Sequence, residues 1–194
     1  MLRWMLPFIQ GIVLITSSSC GYALRTSKDS PRFSEWGVRR VYIRPIQNET
    51  FRAGVENSVY TQTVRMISST PGLRSVNSPE DADAEWVGTV RVAQRTVSGE
   101  TKASDLNPKN LGSPLLLVAS EYTASLACSF ALTQKGKTLW SGDFQRARPF
   151  PANSQVGALG STGALINESE FERALGEVAA DMMVDVRSSL TQDF

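Results

Sequence analysis

The chain has 194 residues, with 20 Lys and Arg against 19 Asp and Glu, and no histidine. So even a balance supplies no overall field for attracting nucleic acid, and any anion site must be local. The missing histidine excludes imidazole zinc ligands, histidine-based triads and histidine phosphotransfer, and two cysteines cannot build a disulfide framework.

Residues 1–19 read as a secretory signal. Arg3 supplies the positive charge, and WMLPFIQGIVLI, from Trp4 to Ile15, supplies an apolar run of about a dozen residues. Pro7, Gln10 and Gly11 interrupt that run, which falls short of the ~20 apolar residues of a spanning helix. Cys20 then has two readings: a small apolar residue closing a membrane or core helix, or the acylated first residue of a mature lipoprotein. The signal-like run and the small Ser18 and Ser19 favour the second, while Ser17 stands where an aliphatic residue is more usual. Gly21, in place of Asp, resembles the default outer-membrane address of Gram-negative lipoproteins. Acyl chains gain roughly 0.8 kcal/mol per buried methylene, and several together hold a protein stably. Removal of residues 1–19 leaves 175 residues with a formal net charge of 0, enough for one domain with a proper core.

Residues 20–36 read as the lipidated N-terminus and a polar tether, and residues 37–194 as a single domain. GVRRVYIRP, residues 37–45, predicts a first strand ended by Pro45. After the turn IQNET, residues 52–68 predict a helix, stopped by Pro71 and Gly72. Val55, Val59 and Met66 form its main stripe, but Tyr60, Val64 and Ile67 lie well round the cylinder. That distribution fits either one broad core face or a helix covered on two sides, one of them by a partner. Residues 73–76 predict a short strand, and residues 84–97 a long one on which Trp86, Val90 and Val92 oppose Val87 and Val97. Residues 98–117 read as a loop.

The clearest strand spans residues 118–132. Val118, Tyr122, Ala124, Leu126, Cys128, Phe130 and Leu132 alternate with small and polar residues, as in an antiparallel sheet with one wet or partner-covered face. Cys128 therefore reads as a buried, inert thiol. QKGK, residues 134–137, predicts a tight turn, and residues 138–146 its hairpin partner with Trp140 and Phe144 on one face. Residues 147–165 read as a second loose segment. A last helix follows, with Asn167 as cap, Glu170 reaching back, and Ile166 and Phe171 as a hydrophobic staple. Phe171, Leu175, Val178, Met182 and Val186 form its stripe. The predicted fold is α+β: a two-layer sandwich with two helices on one face of a four-stranded, mostly antiparallel sheet.

Catalytic and metal-binding patterns are missing. The acidic residues Glu80, Asp81, Asp83 and Glu85 lack the oxygen spacing of a calcium loop. Gly157, Gly160 and Gly163 have no strand leading into them and no phosphate-binding lysine after them. No metal, cofactor or enzymatic activity is expected beyond a covalent lipid on Cys20. Arg91 and Arg95 on one strand, and Lys135 and Lys137 at a hairpin tip, are candidates for pairing with the phosphates of a glycolipid head group. Edge protection and solubility would explain the same residues.

CGYAL at residues 20–24 resembles the mature N-terminus of the LptE family of lipopolysaccharide-assembly lipoproteins. VYIRPIQNET at 41–50 is similar to that family's first strand and closing turn, AGVE at 53–56 to its helix start, and DADAEWVGTV at 81–90 to its next strand. The ordered matches cover somewhat under half of the mature chain. This resemblance implies an outer-membrane lipoprotein on the periplasmic side that plugs an LptD-type β-barrel, supports its assembly and binds lipopolysaccharide. An alternative is a periplasm-facing lipoprotein of another envelope system, a murein synthase activator or secretion accessory with a related sandwich.

Overall fold

The computed structural model describes residues 31–102, 117–153 and 160–191. In chain order these form α1 (Pro31–Trp36), β1 (Arg40–Ile43), β2 (Gln47–Asn48), α2 (Val55–Ser69), β3 (Arg74–Val76), a 3₁₀ turn (Pro79–Asp81), β4 (Ala84–Lys102), β5 (Leu117–Gln134), β6 (Lys137–Pro151) and α3 (Gly160–Thr191). The class is α+β as expected. The sheet, however, has six strands where four were predicted, in the order β3-β1-β4-β5-β6, with β2 paired to β4. The short β3 joins as an edge, and two residues of the IQNET turn form β2. Strands β1, β2 and β3 pair in parallel, whereas β4, β5 and β6 form a long antiparallel meander.

Alternation along β5 builds the core. Its inward residues Ala124, Leu126, Cys128, Phe130 and Leu132 are all buried. Opposite them across the ladders stand Trp86, Gly88 and Val90 of β4, and Trp140, Gly142 and Phe144 of β6. Trp86 stacks on Trp140 at 5.5 Å and lies 5.6 Å from Phe130. Gly88 is required by close approach, because a Cβ there would fall 2.6 Å from Ile46 Cδ1 and 3.0 Å from Phe130 Cδ1. Helix α3 lies over β5 and β6, and α2 packs beside it over β1 to β4. The α3 stripe from Phe171 through Leu175, Val178 and Met182 to Val186 is buried as its spacing predicts. Burial of Cys128 pushes its thiol up to about 12, so it is inert.

A β-bulge between Val90 and Val92 inverts the phase of β4. Val90 pairs with Cys128, but Val92 pairs with Ala127, leaving Arg91 as the extra residue. Beyond it, Ala93, Arg95 and Val97 share the helix-side face with Leu126, Ala124 and Tyr122, Val97 standing exposed past the core, and Val92 turns outward. A strict period of two therefore misplaces both Val92 and Val97.

Other expectations change as well. Strand β4 continues to Lys102 and β6 to Pro151, so residues 98–102 and 147–151 are strand and not loop. Pro149 and Pro151 are tolerated because β6 is an edge. Helix α3 starts at Gly160, which places Asn167 inside it and not at its cap. Within the expected tether, α1 buries Phe33. On α2, Ile67 is buried and Val64 packs against the same core, leaving only Tyr60 outside, so one broad core face accounts for the helix. Cys20, residues 1–30 and most of the predicted 98–117 loop lie outside the described residues.

Polar side chains set the two chain reversals. Asn48 Oδ1 accepts from the Thr50 N–H at 2.9 Å and hydroxyl at 2.7 Å, while its amide donates to the Arg52 carbonyl and the Glu56 carboxylate, each at 2.7 Å. This satisfies the turn into α2. Asp83 Oδ2 accepts from the N–H groups of Arg39 and Arg40 at 3.0 and 2.8 Å, and Oδ1 accepts from the Arg40 guanidinium at 2.8 Å. One carboxylate thus pins the start of β1 beside the start of β4. The Arg40 hydrogen bond, helped by those N–H groups, holds the Asp83 carboxyl down to about 2, from a usual value of 3.8.

Trp86→Ala is expected to lose about 3–5 kcal/mol in urea denaturation, from the cavity it leaves. Trp86→Phe should lose less, since it also removes an indole N–H that has no hydrogen-bond partner among the described residues. Asp83→Asn should cost about 1–2 kcal/mol at pH 7. Because the folded-state value is depressed, the wild-type advantage is complete above about pH 4 and should vanish as pH falls toward 2. Melting both proteins across that interval checks it.

Candidate functional site

Where the bulge turns β4, the turn before α2 and the N-terminal half of α3 leave a wide groove of about 740 Å³. Its walls carry Glu49 to Ala53, Arg91 to Arg95, Glu168, Phe171 and Glu172. Phe171 stacks at 6.0 Å on Phe150 of β6. Two guanidiniums lie over its ring, Arg52 at 4.6 Å and Arg95 at 5.6 Å from the centroid, and Arg95 also lies 4.8 Å from the Tyr122 ring. Glu168 binds both cations: it pairs directly with Arg52 and sits 3.8 Å from Arg95, whose Nη1 also donates to the Asn167 carbonyl at 3.4 Å. The Asn167 side chain accepts from the Asn153 N–H at 2.6 Å and donates to its carbonyl at 3.3 Å, tying the exit of β6 to α3.

The four basic residues singled out from the sequence therefore divide. Arg95 lies on the helix side over the Tyr122 and Phe171 rings beside Glu168, while remaining partly exposed. Arg91, the bulge residue, is exposed on the groove wall and has no ion-pair partner among the described residues. Lys135 and Lys137 occupy the β5–β6 turn, where Lys135 (φ 49°) and Gly136 (φ 80°) take the left-handed conformations of a two-residue hairpin. Ten residues of β5 separate the partner of Arg95 (Ala124) from the partner of Lys137 (Gln134), about 34 Å at strand rise. The two pairs do not converge on one site.

The outward sheet face is the second feature. Thr123, Ser125, Ala127, Ser129, Ala131 and Thr133 of β5 lie between Val87 and Thr89 of β4 and Ser141, Asp143 and Gln145 of β6. Among the described residues, no helix packs over this part of the sheet. Its polarity is locally satisfied, as where Ser129 Oγ donates to Asp143 at 2.5 Å.

No local pattern in the sequence joins Arg52, Glu168 and Phe171 into a site, because 116 residues separate Arg52 from Glu168. Two more arginines of β6 are engaged with α3: Arg146 with Asp185 at 2.5 Å, and Arg148 with Glu177 and Asp181, both at 3.1 Å. Among the described residues there is no cluster of potential metal ligands, and no helix is long and apolar enough to cross a membrane.

No family model and no curated protein matches the chain. Solved structures do resemble it in backbone. A PelC dodecamer subunit from Paraburkholderia phytofirmans is 15% identical, with 80% of this chain and 90% of that one covered and a TM-score of 0.49. Lipoprotein B from Nitrosomonas europaea is 15% identical over 79% and 83% of the two chains, with a TM-score of 0.42. A minor lipoprotein from Acinetobacter baumannii is 10% identical over 79% and 91%, with a TM-score of 0.39.

The contacts separate structural from available cations. Phe171→Ala should lose about 3–5 kcal/mol, since it removes a buried ring beneath two guanidiniums. Arg91→Ala should stay within about 0.5 kcal/mol of the parent in the same chemical-denaturation measurement.

Proposed function

We propose that the chain is a non-enzymatic, lipid-anchored outer-membrane protein that docks inside an LptD-type β-barrel and contacts lipopolysaccharide. The observation carrying this reading is the outward face of the β4–β5–β6 meander, whose central strand presents serine, threonine and alanine, flanked by Val87 and Val92 of β4 and Asp143 and Gln145 of β6. Such a face lacks the large apolar side chains of a buried interface, and suits the polar lumen wall of an outer-membrane barrel. The signal-like residues 1–19 and the CGYAL stretch supply the anchor, and the ordered matches to the LptE family supply the partner. Arg91 is the group open to a lipopolysaccharide phosphate in the groove, since Arg95 already has its counter-charge and aromatic partners. Among the described residues of that groove, the carboxylates of Glu168 and Glu172 are both committed to Arg52.

Detergent extraction of membranes expressing the full-length chain should co-isolate it with an LptD-type barrel, with acyl mass on Cys20. Recovery as a free, unacylated monomer would overturn the reading. Ala127→Arg, which places a long charged side chain on the outward face, should abolish co-isolation while changing stability by about 0.5 kcal/mol or less.

A further inference from the structure

The end of the sheet that receives the N-terminal segment also carries four cations without an acid partner among the described residues, Arg39, Arg74, Lys135 and Lys137. Arg39, just before β1, lies beside Arg74 of the parallel strand β3, whose N–H donates to the Arg39 carbonyl at 2.8 Å, and together they line a shallow depression of about 390 Å³. Neither guanidinium has an acid partner among the described residues, because Asp83 gives its side-chain contact to Arg40. The β4–β5 register puts the hairpin tip at the same level. Glu85 pairs with Thr133 and Val41 with Ala84, so Lys135 and Lys137 project at the end where β1 begins. At strand spacing, the row from Arg74 to the hairpin is about 15–20 Å wide. The acids at this end are Glu35, Glu80, Asp81, Asp83 and Glu85: Asp83 and Glu85 are paired with Arg40 and Arg44, and Glu80 keeps its charge while accepting from the Ser78 hydroxyl.

The chain reaches this same end. Helix α1 leads into Val38 and β1, with Arg32 donating to the Ser189 carbonyl at 3.3 Å and Gln134 to the Trp36 carbonyl at 3.4 Å. Only eleven Cα steps separate Cys20 from Pro31, a reach of at most about 40 Å. An anchor at Cys20 therefore lets this end reach a leaflet, where cations feel an anionic surface within a Debye length of about 8–10 Å.

We propose that Arg39, Arg74, Lys135 and Lys137 form a membrane-facing surface that rests on the phosphate groups of the leaflet holding the acyl chains. The proposal rests on the lipid-anchored reading above, and assigns the hairpin lysines to the leaflet in place of a ligand in the groove. Guanidinium pairs with phosphate oxygens by parallel N–H donors, and the lysines add point charge at the rim.

The test uses the full mature chain from residue 20 with Cys20→Ser, so that no acyl chain contributes, and vesicles of phosphatidylcholine with or without phosphatidylglycerol. Sedimentation should show binding to the anionic vesicles only, weakening as salt is raised. The variant R39Q/R74Q/K135Q/K137Q should bind at least tenfold more weakly, each cation contributing on the order of fivefold. Lys102→Gln, at the opposite end of β4, should bind like the parent, and circular dichroism should show all variants folded. Equal binding to neutral and anionic vesicles, or a fourfold-neutralised variant that binds as the parent does, would overturn the proposal. Either result leaves acylation and barrel co-isolation to be judged by their own measurements.

Discussion

The bulge at Arg91 is the constraint on which the upper half of the molecule depends. A nineteen-residue strand cannot keep one face buried and its side chains in phase with a twisting partner without local adjustment. Inserting one residue opposite the Cys128–Ala127 step resets the alternation, so that Trp86, Gly88 and Val90 on one side of the bulge and Ala93 and Arg95 on the other all face the helices. Without it, Arg95 would point away from Phe171, and Val92 would take its place over the core. The groove exists because β4 changes phase where the turn before α2 passes over it.

Residues that carry the family resemblance perform folding work here. Asn48 organises the turn into α2 through four hydrogen bonds, and Asp83 fastens the start of β1 by two backbone donors and a guanidinium. These are demands of chain reversal, and any sequence that makes a short parallel β1–β4 pairing at this point needs similar groups. The resemblance thus speaks first to how the chain turns. The surfaces that would meet a barrel or a leaflet lie elsewhere, on the outward face of β5 and at the end of the sheet beside α1.

Charge is sorted by place. Arginines toward the helices are neutralised: Arg52 and Arg95 by Glu168, Arg146 by Asp185, Arg148 by Glu177 and Asp181. Such half-exposed pairs add modestly to stability, but they fix where α3 sits along β6. Among the described residues, Arg39, Arg74, Lys135 and Lys137 have no such counter-charge, and they share one end of the sheet. A near-zero overall charge therefore coexists with a locally positive end, which a count over the chain cannot reveal.

By itself the sequence determined whatever depends on local period and turn chemistry. The alternation of residues 118–132 specified β5 and its inward row, Lys135–Gly136 specified the hairpin, and the spacing from Phe171 to Val186 specified the buried stripe of α3. It also put the chain in the α+β class. Only the tertiary structure decided the phase of β4 beyond Val90, the extension of β4 and β6 through residues that read as loop, and the role of Asn167 as a tie to Asn153. It alone brought Arg52, Glu168 and Phe171 together and set Arg95 and Lys135 at different points of the ladder. The reason is physical: a bulge, a sheet register and a cation over a ring are defined by partners more than a hundred residues away or on another strand, and no window along one chain contains them.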